Sequence, residues 1–110
     1  MALDKSLVSG STTMLLLKLL SEKDMYGYEM IETLRERSRN VFEMKAGTLY
    51  PLLHSLEDKH LLTVYQQEVG GKVRKYYSIT KEGRTLLARK QEEWQRYAQG
   101  VTDVLSIAAC

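Results

Sequence analysis

Cysteine is almost missing from this chain of 110 residues, whose only cysteine, Cys110, is the last residue. A single thiol excludes a disulfide within the chain and a zinc site built from several cysteines. Long apolar runs are missing too, because the segment 14–20 is interrupted by Lys18 and is too short to span a bilayer. The first residues also lack the basic and then apolar order of a signal peptide. We therefore expect a cytoplasmic protein.

A large net charge is missing as well, since 16 Lys and Arg residues against 14 Asp and Glu residues leave only +2 at pH 7. Any binding to an anionic partner must come from local clusters of cations. The sequence has no Gly-rich phosphate loop, no nucleophile with a placed base and no isolated carboxylate pair. His54 and His60 have no cysteine nearby with which to bind a metal. We predict no enzyme activity, no metal and no cofactor.

The segment 45–59 predicts a helix with two different faces. Its leucines recur at the spacing of one helical stripe: Leu49, Leu52, Leu53 and Leu56. The opposite face carries hydroxyl, aromatic and cationic side chains: Lys45, Thr48, Tyr50, His54, Ser55 and Lys59. Such a helix can pack through its leucines and offer the other face to phosphates and base edges. An ordinary amphipathic surface helix has the same periodicity, so the residues C-terminal to the helix decide the interpretation.

A β-hairpin is predicted after this helix. The Gly70-Gly71 pair lies between two β-prone segments, 61–69 and 72–79, which is typical of a two-residue primed turn. Pairing Val69 with Lys72 places two apolar pairs on one face: Val64 opposite Tyr77, and Leu62 opposite Ile79. The tip carries three cations with no acidic residue between them: Lys72, Arg74 and Lys75. Together these elements predict a mostly α fold with a β-hairpin wing, the winged helix-turn-helix.

Two more helices are predicted before the segment 45–59. The first, over residues 6–21, is apolar on most sides, so we infer that a second partner surface also covers it; the alternative is the central core helix of a monomer. The second runs over about residues 26–38, with Asp24 as its N-cap and Gly27 at a close approach to a neighbouring helix. Residues 1–80 would thus form one winged-helix unit.

A long helix is predicted from Lys81 to about Ala108, with Thr80 as its N-cap. Its apolar stripe includes Leu87, Trp94, Tyr97 and Val101. The helix would be roughly 42 Å long at 1.5 Å per residue, whereas a compact domain of this size is only about 34 Å across. It must therefore project, and its stripe needs a second chain. We predict that residues 81–110 form a dimerisation helix, packed with the first helix and continuous with the winged-helix unit.

Three segments together resemble the PadR family of transcriptional regulators. They are MYGYEM at 25–30, GTLYPLLHSLE at 47–57 and GKVRKYYSITKEG at 71–83. A single long C-terminal helix is similar to the short branch of that family. The resemblance implies a dimeric winged-helix repressor whose last helix packs against the partner's first and last helices.

The resemblance also implies roles for particular residues. The third helix would enter the major groove with Thr48 and Tyr50 at positions that contact DNA, and the hairpin tip would reach the neighbouring backbone. A multidrug-binding member of the short branch holds flat aromatic ligands between paired tryptophans of its last helices. Trp94 lies at the similar place in this chain, and Met14 and Leu17 would line the same interface.

The resulting hypothesis is a repressor that binds an inverted repeat of double-stranded DNA as a homodimer and is released by a small ligand. The expected DNA contacts are Lys45, Thr48, Tyr50, His54, Ser55, Lys72, Arg74 and Lys75. The expected dimer and ligand residues are Met14, Leu17, Trp94, Tyr97 and Val101. Two alternatives stay open. One is a winged-helix adaptor whose basic tip meets an acidic protein, and the other is a sensor whose main output is binding of a planar aromatic molecule at Trp94, where plain dimer packing is an equal explanation.

Overall fold

In the computed structural model, helices pack around a small β-sheet. The structure describes residues 5–106 and the side chains of residues 11–106. The described elements are α1 (Lys5–Glu22), β1 (Met25–Tyr26), α2 (Gly27–Arg37), α3 (Ala46–Asp58), β2 (Leu62–Val69), β3 (Lys72–Ile79) and α4 (Lys81–Leu105). The strands form an antiparallel sheet in the order β1-β3-β2. The predicted fold is confirmed. The expected helix end at Ala108 and the thiol of Cys110 lie outside the described residues.

The hairpin of β2 and β3 has the register that the Gly-Gly pair predicts. Val69 pairs with Lys72, and the pairs continue without a bulge to the far end of both strands. Gly70 and Gly71 have φ values of +60° and +82°, which a type I′ turn requires and which glycine adopts without strain. The apolar pairs consequently face the core, where Tyr77 is only 2% exposed.

Strand β1 is not predicted by the sequence. Its two residues pair with the middle of the wing at β3, and α2 begins directly after it with Tyr26 in the N-cap position and no side-chain cap. The prediction that Asp24 is the N-cap is therefore wrong. The Asp24 carboxylate instead accepts a hydrogen bond from the Tyr65 hydroxyl at 2.6 Å, because pairing of β1 with β3 moves the start of α2 away from Asp24.

Helix α1 is the central helix of the core and packs against α2, β3 and α4. Leu16 and Leu17 have no exposed surface, and Met14 is only 9% exposed. Both side chains thus pack in the core of a single chain, and their place at a dimer or ligand interface stays a prediction. Elements of the same chain cover the described part of α1, residues 11–22, on several sides.

Helix α4 begins in the core and then leaves it. Thr80 caps the helix as predicted, since its side-chain oxygen accepts a hydrogen bond from the Gly83 N–H at 3.0 Å. Leu87 is buried, whereas Tyr97 is 62% and Val104 is 85% exposed. The described part of the molecule measures 61 × 31 × 21 Å, and the predicted projection of α4 is confirmed.

Candidate nucleic-acid interface

Helix α3 is anchored by leucines and open along its polar face. Leu49 and Leu53 are fully buried, and Leu56 is nearly so. The polar residues predicted to meet DNA lie on the open face, where Lys45, Thr48, Tyr50 and His54 are exposed and Ser55 is half-buried. The backbone thus presents the predicted group of side chains from one rigid element.

Tyr50 crosses from α3 to the start of α2 at Gly27. A Cβ atom added to Gly27 would lie only 2.7 Å from Cζ of Tyr50, so the tyrosine ring occupies space that any other residue would need. This confirms the predicted close approach at Gly27. Tyr50 remains 39% exposed, and its contact with DNA stays a prediction.

Three cations lie along β3 near the wing tip. Lys72 and Lys75 are exposed, and Arg74 is half-buried. Alternation along the strand places Lys72 and Arg74 on the outer face of the sheet, and Lys75 on the face that carries Tyr77. The ion pairs of the described side chains lie on or next to α1 and α2 and use none of these cations. The wing therefore offers an unneutralised positive charge.

A row of tyrosines crosses the outer face of the sheet behind these cations. The Tyr76 ring stacks on Tyr65 with centroids 5.8 Å apart and meets the edge of Tyr26 at 5.6 Å. The hydrogen bond that Tyr65 donates to Asp24 raises the pKa of the Tyr65 hydroxyl. At the other end of the row, the Arg74 guanidinium lies 4.2 Å from the centroid of the Tyr26 ring, which is a cation–π contact.

One groove, which we call the wing groove, brings part of the predicted site together. It has a volume of about 380 Å³ and is lined by Tyr26, Gly27, Tyr28, Tyr50, Lys72, Arg74 and Lys75. Four of the predicted DNA-binding residues thus share one cavity, namely Tyr50, Lys72, Arg74 and Lys75. The others, Lys45, Thr48, His54 and Ser55, lie along α3 outside it. No carboxylate lines the wing groove.

Tyr26 and Tyr28 are residues of this groove that are absent from the predicted site. Tyr28 is 61% exposed, and its hydrogen bond to Glu32 raises the pKa of its hydroxyl. Both tyrosines flank Gly27 in the segment that resembles the PadR family, which is the one signal for them in the sequence. Their place beside the wing results from the pairing of β1 with β3, and no local sequence pattern reveals that pairing.

A second feature lies far from the wing, on the projecting part of α4. Trp94 is 49% exposed, with its ring centroid 6.0 Å from that of Tyr97. A shallow apolar groove of about 460 Å³ continues along the same helix, lined by Arg96, Tyr97, Gly100, Val101, Val104 and Leu105. Trp94, Tyr97 and Val101 therefore lie on one exposed stripe, as predicted, and Met14 and Leu17 do not take part in it.

The geometry defines a winged helix-turn-helix protein with a polar third helix and a basic wing. The chain belongs to the transcriptional regulator PadR-like family, whose model matches residues 16–89. It is therefore a transcriptional regulator and not an enzyme. Among the described residues, no group of three or more His, Cys, Asp or Glu side chains could hold a metal ion, and no helix is long and apolar enough to cross a bilayer.

Several proteins are similar to this chain in sequence, and solved structures are similar to it in fold over most of its length. An uncharacterized protein of Lysinibacillus sphaericus is 39% identical over 90 residues, which are 80% of this chain and 82% of that protein. A transcriptional regulator from Clostridium thermocellum has a TM-score of 0.84 at 31% identity, covering 92% of this chain and 99% of the other. A PadR family regulator from Eggerthella lenta has a TM-score of 0.80 at 34% identity, covering 93% and 88%.

Proposed function

We propose that this regulator binds an inverted repeat in duplex DNA as a homodimer and represses transcription there. The observation that carries the proposal is the convergence of the open face of α3 with the unpaired cations of the wing. A helix of this kind fits the major groove, and cations beside it suit the flanking phosphates. Local charge supplies the attraction, because the net charge of the chain is only +2.

Base edges would be read from the exposed face of α3. Thr48 and His54 are exposed and lie six residues apart on α3, and both carry groups that can hydrogen-bond to bases in the major groove. Lys45 and Ser55 extend the same face toward the phosphates on either side. Changing Thr48 or His54 should therefore alter the preference among sequences more than it alters the affinity for unrelated DNA.

The dimer would form through the exposed stripe of α4. Trp94, Tyr97 and Val101 are apolar side chains on a helix that projects from its own core, and burying them against a second copy would remove that surface from water. A symmetric dimer places its two α3 helices about 10 base pairs apart, or a multiple of that, on successive turns of one duplex face. An inverted repeat with this spacing is the expected operator.

Binding to duplexes from the region upstream of the protein's own gene tests the proposal directly. Fluorescence anisotropy should show tight binding that weakens steeply as salt rises, because phosphate contacts release counterions. The double variant Arg74→Ala and Lys75→Ala should bind every sequence more weakly, with a shallower salt dependence. The charge-matched control, Lys81→Ala with Arg89→Ala, removes exposed cations of α4 and should bind as the wild type does. Equal binding by all three proteins would reject the wing as a phosphate-binding element.

Release by a flat aromatic ligand is a second proposal, favoured by the adjacency of half-exposed Trp94 and Tyr97. Aromatic rings so placed can stack on a planar molecule. Quenching of the chain's only tryptophan by a panel of planar aromatic compounds, together with loss of DNA binding, is the expected result. A tryptophan fluorescence that responds to none of these compounds would reject ligand binding and leave dimer packing as the role of Trp94. A mobility-shift assay with the upstream duplex separates both proposals from the adaptor alternative, because an adaptor without DNA binding would give no shift.

A further inference from the structure

We propose that the wing groove seats a phosphate of the DNA backbone and that Tyr26 is a positioning residue that holds Arg74 toward this phosphate. The inference deepens the DNA binding proposed above and rests on it. It extends the contact surface from α3 and the wing tip to the start of α2. It also assigns Tyr26 a role in DNA binding that is neither packing in the core nor contact with bases.

The lining of the wing groove matches a phosphodiester. Three cations line it, namely Lys72, Arg74 and Lys75, and no carboxylate is among the lining residues. The remaining walls are tyrosine rings, whose apolar faces suit the deoxyribose carbons beside a phosphate. Cations and hydroxyls that converge on an anion form the stronger, charge-assisted type of hydrogen bond.

The position of Arg74 is set before any ligand arrives. Its guanidinium lies over the Tyr26 ring with its central carbon 4.2 Å from the centroid. A guanidinium carries five N–H donors, so its cation–π contact with the ring leaves donors able to reach phosphate oxygens. An arginine restrained in this way loses less side-chain entropy on binding than one that moves freely in water.

The position of Tyr26 is in turn restrained by neighbouring side chains of the sheet. It belongs to β1 and pairs with Tyr76 on β3, whose ring meets it edge-on at 5.6 Å. Tyr76 is stacked on Tyr65, and Tyr65 is tied to Asp24 by the hydrogen bond of 2.6 Å. The row thus fixes the Tyr26 ring to the sheet, and the ring in turn fixes the arginine near the wing tip.

The place of the groove favours duplex DNA over a small free anion. Tyr50 lies both on the exposed face of α3 and in the lining of the wing groove. A duplex that contacts α3 therefore brings its backbone to the groove mouth, where the wing lies alongside. A free anion would meet an open cleft and would lack the rest of these contacts.

A double-mutant cycle on DNA affinity tests the role of Tyr26. Tyr26→Leu should weaken binding about twofold to fivefold, which is the range for an exposed cation–π contact. Tyr26→Phe should bind as the wild type does because it keeps the ring. In an Arg74→Ala background, Tyr26→Leu should have no further effect. In a Lys75→Ala background it should keep its full effect, since alternation along β3 directs Lys75 away from the face that carries the Tyr26 ring.

Arg74→Lys provides a variant that leaves Tyr26 and the sheet unchanged. It keeps the charge but replaces the planar guanidinium by an ammonium group, so we expect a loss similar to that of Tyr26→Leu with an unchanged salt dependence. Thermal midpoints of all variants show whether the fold is kept. Inorganic phosphate should compete with the duplex no better for the wild type than for Arg74→Ala.

Three outcomes would overturn the proposal. The first is an equal effect of Tyr26→Leu in the Arg74→Ala and Lys75→Ala backgrounds, and the second is a loss in Tyr26→Phe as large as that in Tyr26→Leu. Either leaves DNA binding itself intact and rejects only the phosphate seat. The third is a wild-type protein that binds no duplex at any salt concentration, which rejects the proposed function together with the seat.

Discussion

At Gly27 and His60, backbone geometry determines which residue the position accepts. Gly27 gives room to the Tyr50 ring, and His60 has a φ of +61° directly after α3. The His60 N–H bonds to the carbonyl of Glu57, and the Leu61 N–H bonds to that of Leu56 at 2.9 Å, which is the Schellman arrangement of a helix end. The sequence predicts the close approach at Gly27, but it does not reveal that the neighbour is an aromatic ring of α3.

Replacing Gly27 by alanine should lower the free energy of unfolding by about 1–3 kcal/mol, because the new methyl group would overlap the Tyr50 ring. Gly100→Ala is the matched control, since a Cβ there meets nothing within 4 Å. It should raise the free energy of unfolding by about 0.5–1 kcal/mol through helix propensity. Urea titrations measure both, and equal effects of the two substitutions would contradict the packing of Tyr50 on Gly27.

Replacing His60 by glycine should raise the free energy of unfolding by about 1 kcal/mol, because a left-handed conformation costs a residue with a Cβ about that much. His60→Ala keeps the Cβ and should give no such gain. Thermal or urea unfolding of the two variants makes the comparison. A glycine variant no more stable than the alanine variant would contradict a cost of the left-handed backbone conformation at this position.

At the scale of elements, α1 and α2 are joined by an ion pair. Arg37 donates a hydrogen bond to Glu22 at 2.6 Å, and Lys18 lies 3.6 Å from the same carboxylate. The hydrogen bond from Arg37 lowers the pKa of Glu22 below its ordinary value of 4.5. A lowered pKa in the folded state contributes stability above the unfolded pKa, and that stability is lost as pH falls through the folded pKa.

Glu22→Gln should therefore make stability less dependent on pH on the acid side. The wild type should lose more stability than the variant between about pH 6 and about pH 3, because only the wild type must protonate a paired carboxylate. Urea midpoints over this range provide the measurement. Parallel curves for the two proteins would show that the pair between the helices does not contribute, as holds for many exposed ion pairs.

Elements with local signals are the ones that sequence predicts well. The hairpin register is determined by Gly70-Gly71 and the alternation around it, and the start of α4 by the Thr80 cap. Strand β1 has two residues and exists only because β3 lies beside it, so no local pattern could indicate it. The wing groove depends on that same pairing, which explains why Tyr26 and Tyr28 were not predicted while the cations of the wing were.

At the scale of the whole molecule, the projecting part of α4 leaves an apolar stripe exposed in a single chain. In the described part of α1, Leu16, Leu17, Leu19 and Leu20 are buried within the chain, so these residues offer no exposed apolar surface to a partner. The apolar stripe of α4 supports the same dimer on better grounds, since Trp94, Tyr97 and Val101 remain exposed. Length and periodicity sufficed to predict α4. Only the three-dimensional core shows that the apolar side chains of α1 are buried whereas those of the α4 stripe are exposed.

Val101→Asp should convert the proposed dimer to monomers, because a carboxylate in the middle of the proposed apolar interface would be buried without a partner. Gln95→Asp is the control, since it adds the same charge at an exposed position off the stripe. Light scattering at micromolar concentration should give the dimer mass for the wild type and the control, and the monomer mass for Val101→Asp. A dimer that persists in Val101→Asp would place the interface elsewhere.

The most direct measurement of the central proposal is the number of chains on one operator. Sedimentation of the wild-type protein with the upstream duplex that binds it most tightly should give two chains per duplex. Val101→Asp should require a much higher concentration to reach that mass, because its two copies are no longer joined before they bind. A saturated complex that contains one chain per duplex would contradict the account of two α3 helices set at a fixed spacing by α4.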